Sequence, residues 1–456
     1  MTVAVTNPTV ARPPGPRGSA LVRALAARRG EPIVRFFSQV AREHPRLAYT
    51  KVVREHVYLL SAPDLVREIL VTHGRRTRKS RALQNARMLV GDGLLTSEGE
   101  THRRQRRLVQ PAFHERRIAS YAEEMVGAAA AHAAGWTPGQ RVDMAAEMST
   151  LTLAIVGRTL FGSDLRAESE VVAAALGISM AAYRRLLIPG GSLLLRLPLR
   201  STRRTFDAGD RLDAVVRRII AGRRPGDDRG DVLSLLLSAS EDGVGMTGEQ
   251  VRDEVMTLLI AGHETTANAL TWAWRLLGDR PDVAAEMRAE QSAVLGDRRP
   301  AYGDVRALPL TRAVFAEAIR LYPPAWVMGR RLTREIELDG WRVPAGATCL
   351  ASQWALHRDP RFWDDPLGFR PERWLLADGR FDETAPGQPR GSWFPFGMGG
   401  RVCIGEQFAW VEGTLVLATL APRWAPRTAP GHRISVRPAV TLRPADGMPM
   451  VLAPVE

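Results

Sequence analysis

At 456 residues, 45% of them hydrophobic, the chain can bury a large core, and a rule of ~150 residues per domain would divide it into about three. Its two cysteines, Cys349 and Cys403, exclude a disulfide framework and fit a reducing cytoplasm. The formal charge of +14 is almost all arginine, with lysine only at Lys51 and Lys79; it comes with no zinc-finger spacing or repeated basic–aromatic platform, which argues against a nucleic-acid partner. Arginine excess of this kind follows from a GC-rich genome, although a basic face also attracts an acidic electron-transfer protein. Met1 to Val10 lacks a basic start followed by an apolar core, and no run of 18 apolar residues occurs, so neither a targeting signal nor a membrane anchor is expected.

In chain order, residues 1–18 form a stiff, extended lead-in ending in Arg12-Pro13-Pro14-Gly15-Pro16-Arg17-Gly18. Helical patterning follows, with strand candidates at Leu47–Val53 and Tyr58–Leu60. Leu186–Leu195 is unusually apolar and reads, taken alone, as two buried helix ends. The polar break Arg223–Asp228 separates two helical regions. Thr247-Gly248-Glu249-Gln250 is a capping-box signature; the apolar pattern runs to Leu277, with Gly278 and Pro281 as the stop. Such a helix of about 30 residues is about 45 Å long. Its middle carries Ala261-Gly262-His263-Glu264-Thr265-Thr266. Gly262 weakens the helix, and the Thr265 hydroxyl competes for the Ala261 carbonyl, opening a polar notch in an apolar wall. By itself, Glu264 reads as a solvated surface carboxylate.

Glu317 and Arg320 share a face of a helix over Thr311–Leu321. After Pro323-Pro324 the chain turns to short strands and loops; Cys349 lies in the strand-like run Ala347–Ala351 as a small core residue. Cys403 stands apart. It lies in Phe396-Gly397-Met398-Gly399-Gly400-Arg401-Val402-Cys403-Ile404-Gly405, just before an apolar helical run. Glycines allow a tight bend and close approach to a flat partner, and a helix start favours thiolate over thiol. A lone thiolate in a dry loop is one way to hold haem iron.

The pattern Phe396-x-x-Gly399-x-Arg401-x-Cys403-x-Gly405 resembles the haem-binding loop of the cytochrome P-450 family. Five fixed positions coincide by accident in a chain of this length with a probability on the order of 10⁻⁴. The resemblance runs from about Ala41 to the C-terminus, with the main motifs in order. It implies the P-450 fold: mainly α with a smaller β region, one triangular prism-like domain over 19–456. Haem b would lie between the long central helix and the cysteine-loop helix, with Cys403 as iron ligand and Phe396, Gly397, Gly405 and Ala261 against the cofactor. Ala261–Thr266 resembles the oxygen-activation motif, in which Thr265 would hydrogen-bond dioxygen and Glu264 would relay protons, with His263 structural. Gly99–Arg107 resembles the segment that binds haem propionates. His102, where many members have tryptophan, and Arg106 would do so here, while Arg104 and Arg107 face solvent. Arg330, ranked ahead of Arg331, and Arg401 would complete the set. Glu317 and Arg320 resemble the Glu-x-x-Arg pair, closed into a buried network by Arg373 of Pro371-Glu372-Arg373-Trp374.

By the same resemblance, Leu186–Leu195 would form part of a lid, and Arg81–Leu95, Leu258–Ala261 and Ala325–Met328 the substrate pocket. The implied activity is that of a soluble, cytoplasmic, monomeric monooxygenase. It would insert one atom of O2 into a lipophilic small molecule, a terpenoid ahead of a fatty acid or polyketide. Electrons would come from NAD(P)H through a separate ferredoxin and ferredoxin reductase, since the chain leaves no room for a fused reductase. The rivals are a peroxide-driven peroxygenase or oxidative coupling enzyme, and a non-catalytic haem or lipid carrier. The acid–threonine pair argues against both.

Overall fold

The computed structural model describes residues 11–27, 31–186, 193, 197–223, 227–238, 240–241, 244–384 and 387–455. The greater part of the apolar segment Leu186–Leu195, expected to form part of a lid, lies outside them. Residues 11–17 are non-helical, and the Pro14 carbonyl accepts from the Tyr49 amide (3.2 Å), so the proline-rich lead-in lies against the first strand. The first helix begins at Gly18.

A five-stranded sheet is built from β1 (Leu47–Val52), β2 (Glu55–Leu60), β3 (Thr77–Lys79), β4 (Met328–Leu332) and β5 (Thr348–Ala351), in the order β1-β2-β5-β4-β3. β1 stops one residue short of the expectation because Val53 takes a left-handed φ of 56° at the turn. β2 starts earlier than expected because each β1 residue finds a partner, from Leu47↔Leu60 to Val52↔Glu55. β5 runs parallel to β2, and β4 and β3 close the sheet antiparallel, pairing Lys79 with Arg330. A late hairpin joins β6 (Val436–Pro438) to β7 (Leu442–Pro444).

The site rests on five helices: α1 (Gly99–Val109), α2 (Met144–Phe161), α3 (Gly248–Asp279), α4 (Pro309–Leu321) and α5 (Glu406–Leu420). α3 has 32 residues and is therefore about 48 Å long. The capping box forms as expected: Thr247 Oγ1 accepts from the Gln250 amide (3.2 Å), and Gln250 Oε1 accepts from the Thr247 amide (3.0 Å). Gly278 does not end α3. Its role is close approach, since a Cβ there would lie 2.9 Å from the Pro426 carbonyl. α3 packs against α2, α4 and α5, and its buried residues occupy nearly every face, as suits a helix inside a large core. α5 closes tightly on α4 because Gly413 has no side chain: a Cβ there would meet the Phe315 ring at 2.3 Å. Among the described residues, no helix is long and apolar enough to cross a membrane.

Candidate active site

The cysteine loop is shaped by two left-handed glycines, Gly397 (φ 75°) and Gly399 (φ 71°). A Cβ at Gly399 would lie 2.5 Å from the Leu70 carbonyl, and one at Gly397 2.9 Å from Met328 Cε, so larger residues would displace the loop. The Cys403 amide donates to the Phe396 carbonyl (2.9 Å), and the Phe396 ring packs edge-on to Trp410. The Cys403 side chain is exposed, yet burial among protein groups pushes its thiol up to about 11. Together these place it on the wall of an interior opening, away from bulk solvent. The Gly405 amide and the nearby Arg106 charge both favour the thiolate.

The α3 motif also faces an opening. Ala261, Gly262 and Thr265 are partly exposed, while His263, Glu264 and Thr266 are buried. Thr265 Oγ1 donates to the Ala261 carbonyl at 2.7 Å, forming the notch. Glu264 is no surface carboxylate. Its Oε1 accepts from Asn268 Nδ2 (2.9 Å) and Thr441 Oγ1 (2.7 Å), and both its oxygens pair with Arg443, with Nη2 at 2.5 Å from Oε2. His263 packs α3 on α2: its Nε2 lies 3.2 Å from Ser149 Oγ, and its carbonyl accepts from Thr152 Oγ1 (3.1 Å).

Cations gather around the cysteine loop. His102 and Arg330 are buried, and so is Lys79, which sequence reasoning missed. Burial, followed by neighbouring positive charges, pushes His102 down to about 4 and Arg330 to about 10. Lys79 falls to about 7 for the same reasons, against the opposing pull of Glu98. Arg106 Nη1 donates to the Val402 carbonyl (2.7 Å), tying α1 to the residue before Cys403. Arg401 is already engaged. It donates to the Gly74 (3.2 Å) and Thr77 (3.1 Å) carbonyls and to Glu98 Oε2 (2.7 Å), leaving its buried Nε without a partner among the described residues. Arg401 thus ties the cysteine loop to β3. Arg331 is half-buried and its guanidinium donates to the Gly346 carbonyl, whereas among the described residues the Arg330 guanidinium donates to the carbonyl of its neighbour Gly329 alone. Arg104 is half-buried and donates to the Gly245 carbonyl; Arg107 is exposed and pairs with Glu100. Lys79, as one of two lysines among dozens of arginines, carried the only sequence signal for its position.

A haem suits this set. Buried bases whose charged forms are disfavoured would be relieved by two carboxylates, and the Cys403 sulfur would be the donor to the iron.

Behind the loop, Glu317 is wholly buried. Its carboxylate accepts from Arg320 Nε and Nη2 (2.8 and 2.7 Å), Arg373 Nε (3.1 Å), Trp374 Nε1 (2.9 Å) and the Arg370 amide (3.0 Å). Arg320 spends its other donors on the carbonyls of His357, Pro366 and Gly368. The arrangement locks α4 to the segment that leads to the cysteine loop.

Glu412 on α5 was also missed. It is fully buried, and the Thr266 hydroxyl, which donates to the Gly262 carbonyl at 3.3 Å, is the polar group that reaches towards its carboxyl. Burial pushes Glu412 up to about 8. The unfolded chain loses this proton above its ordinary value near 4.5, while the folded chain keeps it to about 8. Rising pH through that window therefore favours unfolding. Glu412→Gln is expected to stabilise the protein more at pH 8 than at pH 5, as read by thermal melts at both values.

A cavity of about 290 Å³ opens nearby. Its walls include Phe37, Val57, Tyr183, Trp326, Val327 and Leu350. Arg81, Ala82 and Asn85 also line it, whereas Leu258–Ala261 and Cys403 do not. The expected pocket segments therefore meet in part.

The sequence profile described as Cytochrome P450 matches residues 13–437. Cyclooctatin synthase of Streptomyces melanosporofaciens is 43% identical over 405 residues, covering 88% of this chain and 87% of that protein. Cyclooctat-9-en-7-ol 5-monooxygenase of the same organism is 39% identical over 393 residues, covering 85% and 84%. Pentalenene oxygenase of Streptomyces avermitilis is 32% identical over 405 residues, covering 88% and 87%. The crystal structure of the cytochrome P450DA heme domain superposes with a TM-score of 0.83 at 28% identity, covering 98% of both chains. The chain belongs to the cytochrome P450 family and is a haem-dependent oxidoreductase that incorporates oxygen.

Proposed function

We propose that this protein is a terpenoid monooxygenase in which Cys403 binds the haem iron, and Arg106, His102 and Arg330 bind the propionates. The observation that carries this reading is a cysteine side chain exposed inside the protein, framed by buried cations and by the amide of Gly405. When bound, the haem supplies the redox centre at which dioxygen is reduced and one atom is transferred to carbon. The chain's own residues do the rest. Arg106 and the Gly405 amide favour the anionic sulfur against the burial that opposes it, and coordination to the iron would complete the deprotonation. Phe396 and Gly397 shape the loop that would hold the cofactor, and the small Ala261 would leave room for it. Thr265 Oγ1 presents its lone pairs at the notch, and it can donate its proton there only by releasing the Ala261 carbonyl. The carboxylate of Glu264 is its neighbour in sequence, and Arg443, whose side chain is 26% exposed, links that carboxylate to solvent. Proton delivery through Glu264 requires Arg443 to release it.

Thr265→Ala is expected to lower product formed per NADPH consumed by up to about 100-fold, the low end of the ~10²–10⁴-fold that a positioned proton donor contributes to rate. Unchanged coupling would remove Thr265 from this role.

The apolar part of the cavity wall, with Phe37, Val57, Trp326, Val327 and Leu350, and the substrates in the relatives' names support a cyclic terpenoid. Electrons come from NAD(P)H through a ferredoxin and its reductase. The protein works as one domain over 19–456, a cytoplasmic monomer, and its two unpaired cysteines fit a reducing compartment. Reconstitution with ferredoxin, reductase, NADPH, ¹⁸O₂ and a cyclic terpene is expected to place one ¹⁸O atom in the product. Full activity with peroxide alone and none with ferredoxin would overturn the electron route.

A further inference from the structure

Lys79 closes a loop on itself. Its amide donates to Glu98 Oε1 (2.5 Å), its Nζ to the carbonyls of Leu94 (2.8 Å) and Ser97 (2.6 Å), and its carbonyl accepts from Gln84 Nε2 (3.0 Å). Segment 80–97 therefore leaves and returns at one residue. Its first half supplies Ser80, Arg81, Ala82 and Asn85 to the wall of the 290 Å³ cavity. Its second half is strapped to α3. The Asp92 amide donates to Asp253 Oδ2 (2.7 Å), and the Leu94 amide to Glu254 Oε2 (3.1 Å). Gly93 approaches so closely that a Cβ there would lie 2.3 Å from Thr257 Oγ1.

Leu94 is thus gripped from both sides, by the Lys79 ammonium on its carbonyl and the Glu254 carboxylate on its amide. Both grips are buried, Lys79 at 5% and Glu254 at 0% exposure. Burial moves both towards their neutral forms, Lys79 down to about 7 and Glu254 up to about 7, and Glu254 Oε1 has no partner among the described residues. Stability alone does not favour such a pair: uncharged groups would satisfy the same backbone at lower desolvation cost. What the pair fixes is position. Glu254 lies seven and eleven residues before Ala261 and Thr265, on the same side of α3.

We propose that Lys79 and Glu254 are positioning residues for the substrate. They hold segment 80–97 as a cavity wall at a set distance from the Thr265 face of α3, and so select which carbon is presented for oxidation. The inference rests on the cavity being the substrate's path in the monooxygenase proposed above.

The test compares Glu254→Leu, Glu254→Gln and Gly93→Ala in the haem-loaded protein. Cedrene, a tricyclic C15 hydrocarbon, serves as substrate probe and cyanide as an iron ligand that needs no cavity wall. Amide deuterium exchange at residues 92–97 is read without substrate. Glu254→Leu should speed that exchange, raise the cedrene dissociation constant about tenfold, and spread oxidation over more carbons. Glu254→Gln retains an acceptor for the Leu94 amide and should stay within about twofold of wild type. Gly93→Ala should resemble Glu254→Leu, and decides the matter if that variant fails to take up haem. Cyanide affinity should not change. Faster exchange with wild-type cedrene affinity and product pattern would reduce the clamp to a structural strap and overturn the proposal, as would unchanged exchange or no cedrene binding by wild type. Loss of the ferrous carbon monoxide band in the wild type would instead refute the underlying haem-thiolate reading.

Discussion

Cys403→Ser is expected to reduce monooxygenation to background while leaving the secondary structure intact. The Cys403 sulfur lies in a loop whose path is set by Gly397, Gly399 and the hydrogen bond from the Cys403 amide to the Phe396 carbonyl, none of which needs the sulfur. Serine fits the same space, so circular dichroism should be unchanged. What disappears is the soft, electron-rich donor. A neutral hydroxyl is a poor iron ligand and cannot push electron density through the metal as a thiolate does. Turnover and absorbance should therefore fall together. Retained monooxygenation in this variant would refute Cys403 as the ligand.

Glu317→Ala is expected to be strongly destabilising. It leaves Arg320, wholly buried, and Arg373 without their shared carboxylate, and strands the Trp374 indole N–H. Breaking a buried ion pair by removing one partner costs about 3–5 kcal/mol, a large share of the ~5–15 kcal/mol that holds a typical fold together. Because the network joins α4 to residues 366–374, haem retention should fall with stability. Urea unfolding and the ratio of haem to protein absorbance check both. Glu317→Gln, which keeps two polar atoms in place, should lose less. An unfolding midpoint within error of wild type for Glu317→Ala would show that the network carries little of the fold.

Features encoded within a few residues were legible in the sequence. The α3 capping box, the Thr265 bond to the carbonyl four residues back, the Glu317–Arg320 spacing and the glycines around Cys403 are all local, and each has a physical signature at short range. Pairings across the chain were not. Glu264 meets Arg443, 179 residues away, and Arg401 meets Glu98, 303 residues away. In a chain with so many arginines, no pattern singles out which one a given carboxylate will meet. Glu264 therefore reads on its own as solvated although it is buried, and nothing in the sequence shows that much of the Arg401 guanidinium is spent on Glu98 and two carbonyls. Gly278 shows a related difficulty: a glycine that permits contact with the Pro426 carbonyl looks, in sequence, like one that ends a helix. Lys79 and Glu412 carry no motif. Only burial, which depends on the whole fold, gives them their character.

The most direct measurement is the absorbance of the purified, dithionite-reduced protein under carbon monoxide. A thiolate from Cys403 on haem iron will move the Soret band strongly to the red, and Cys403→Ser will abolish that shift. A colourless protein, or a band at the position given by a neutral axial ligand, would contradict the assignment on which the cation cluster, the Thr265 notch and the substrate clamp all depend.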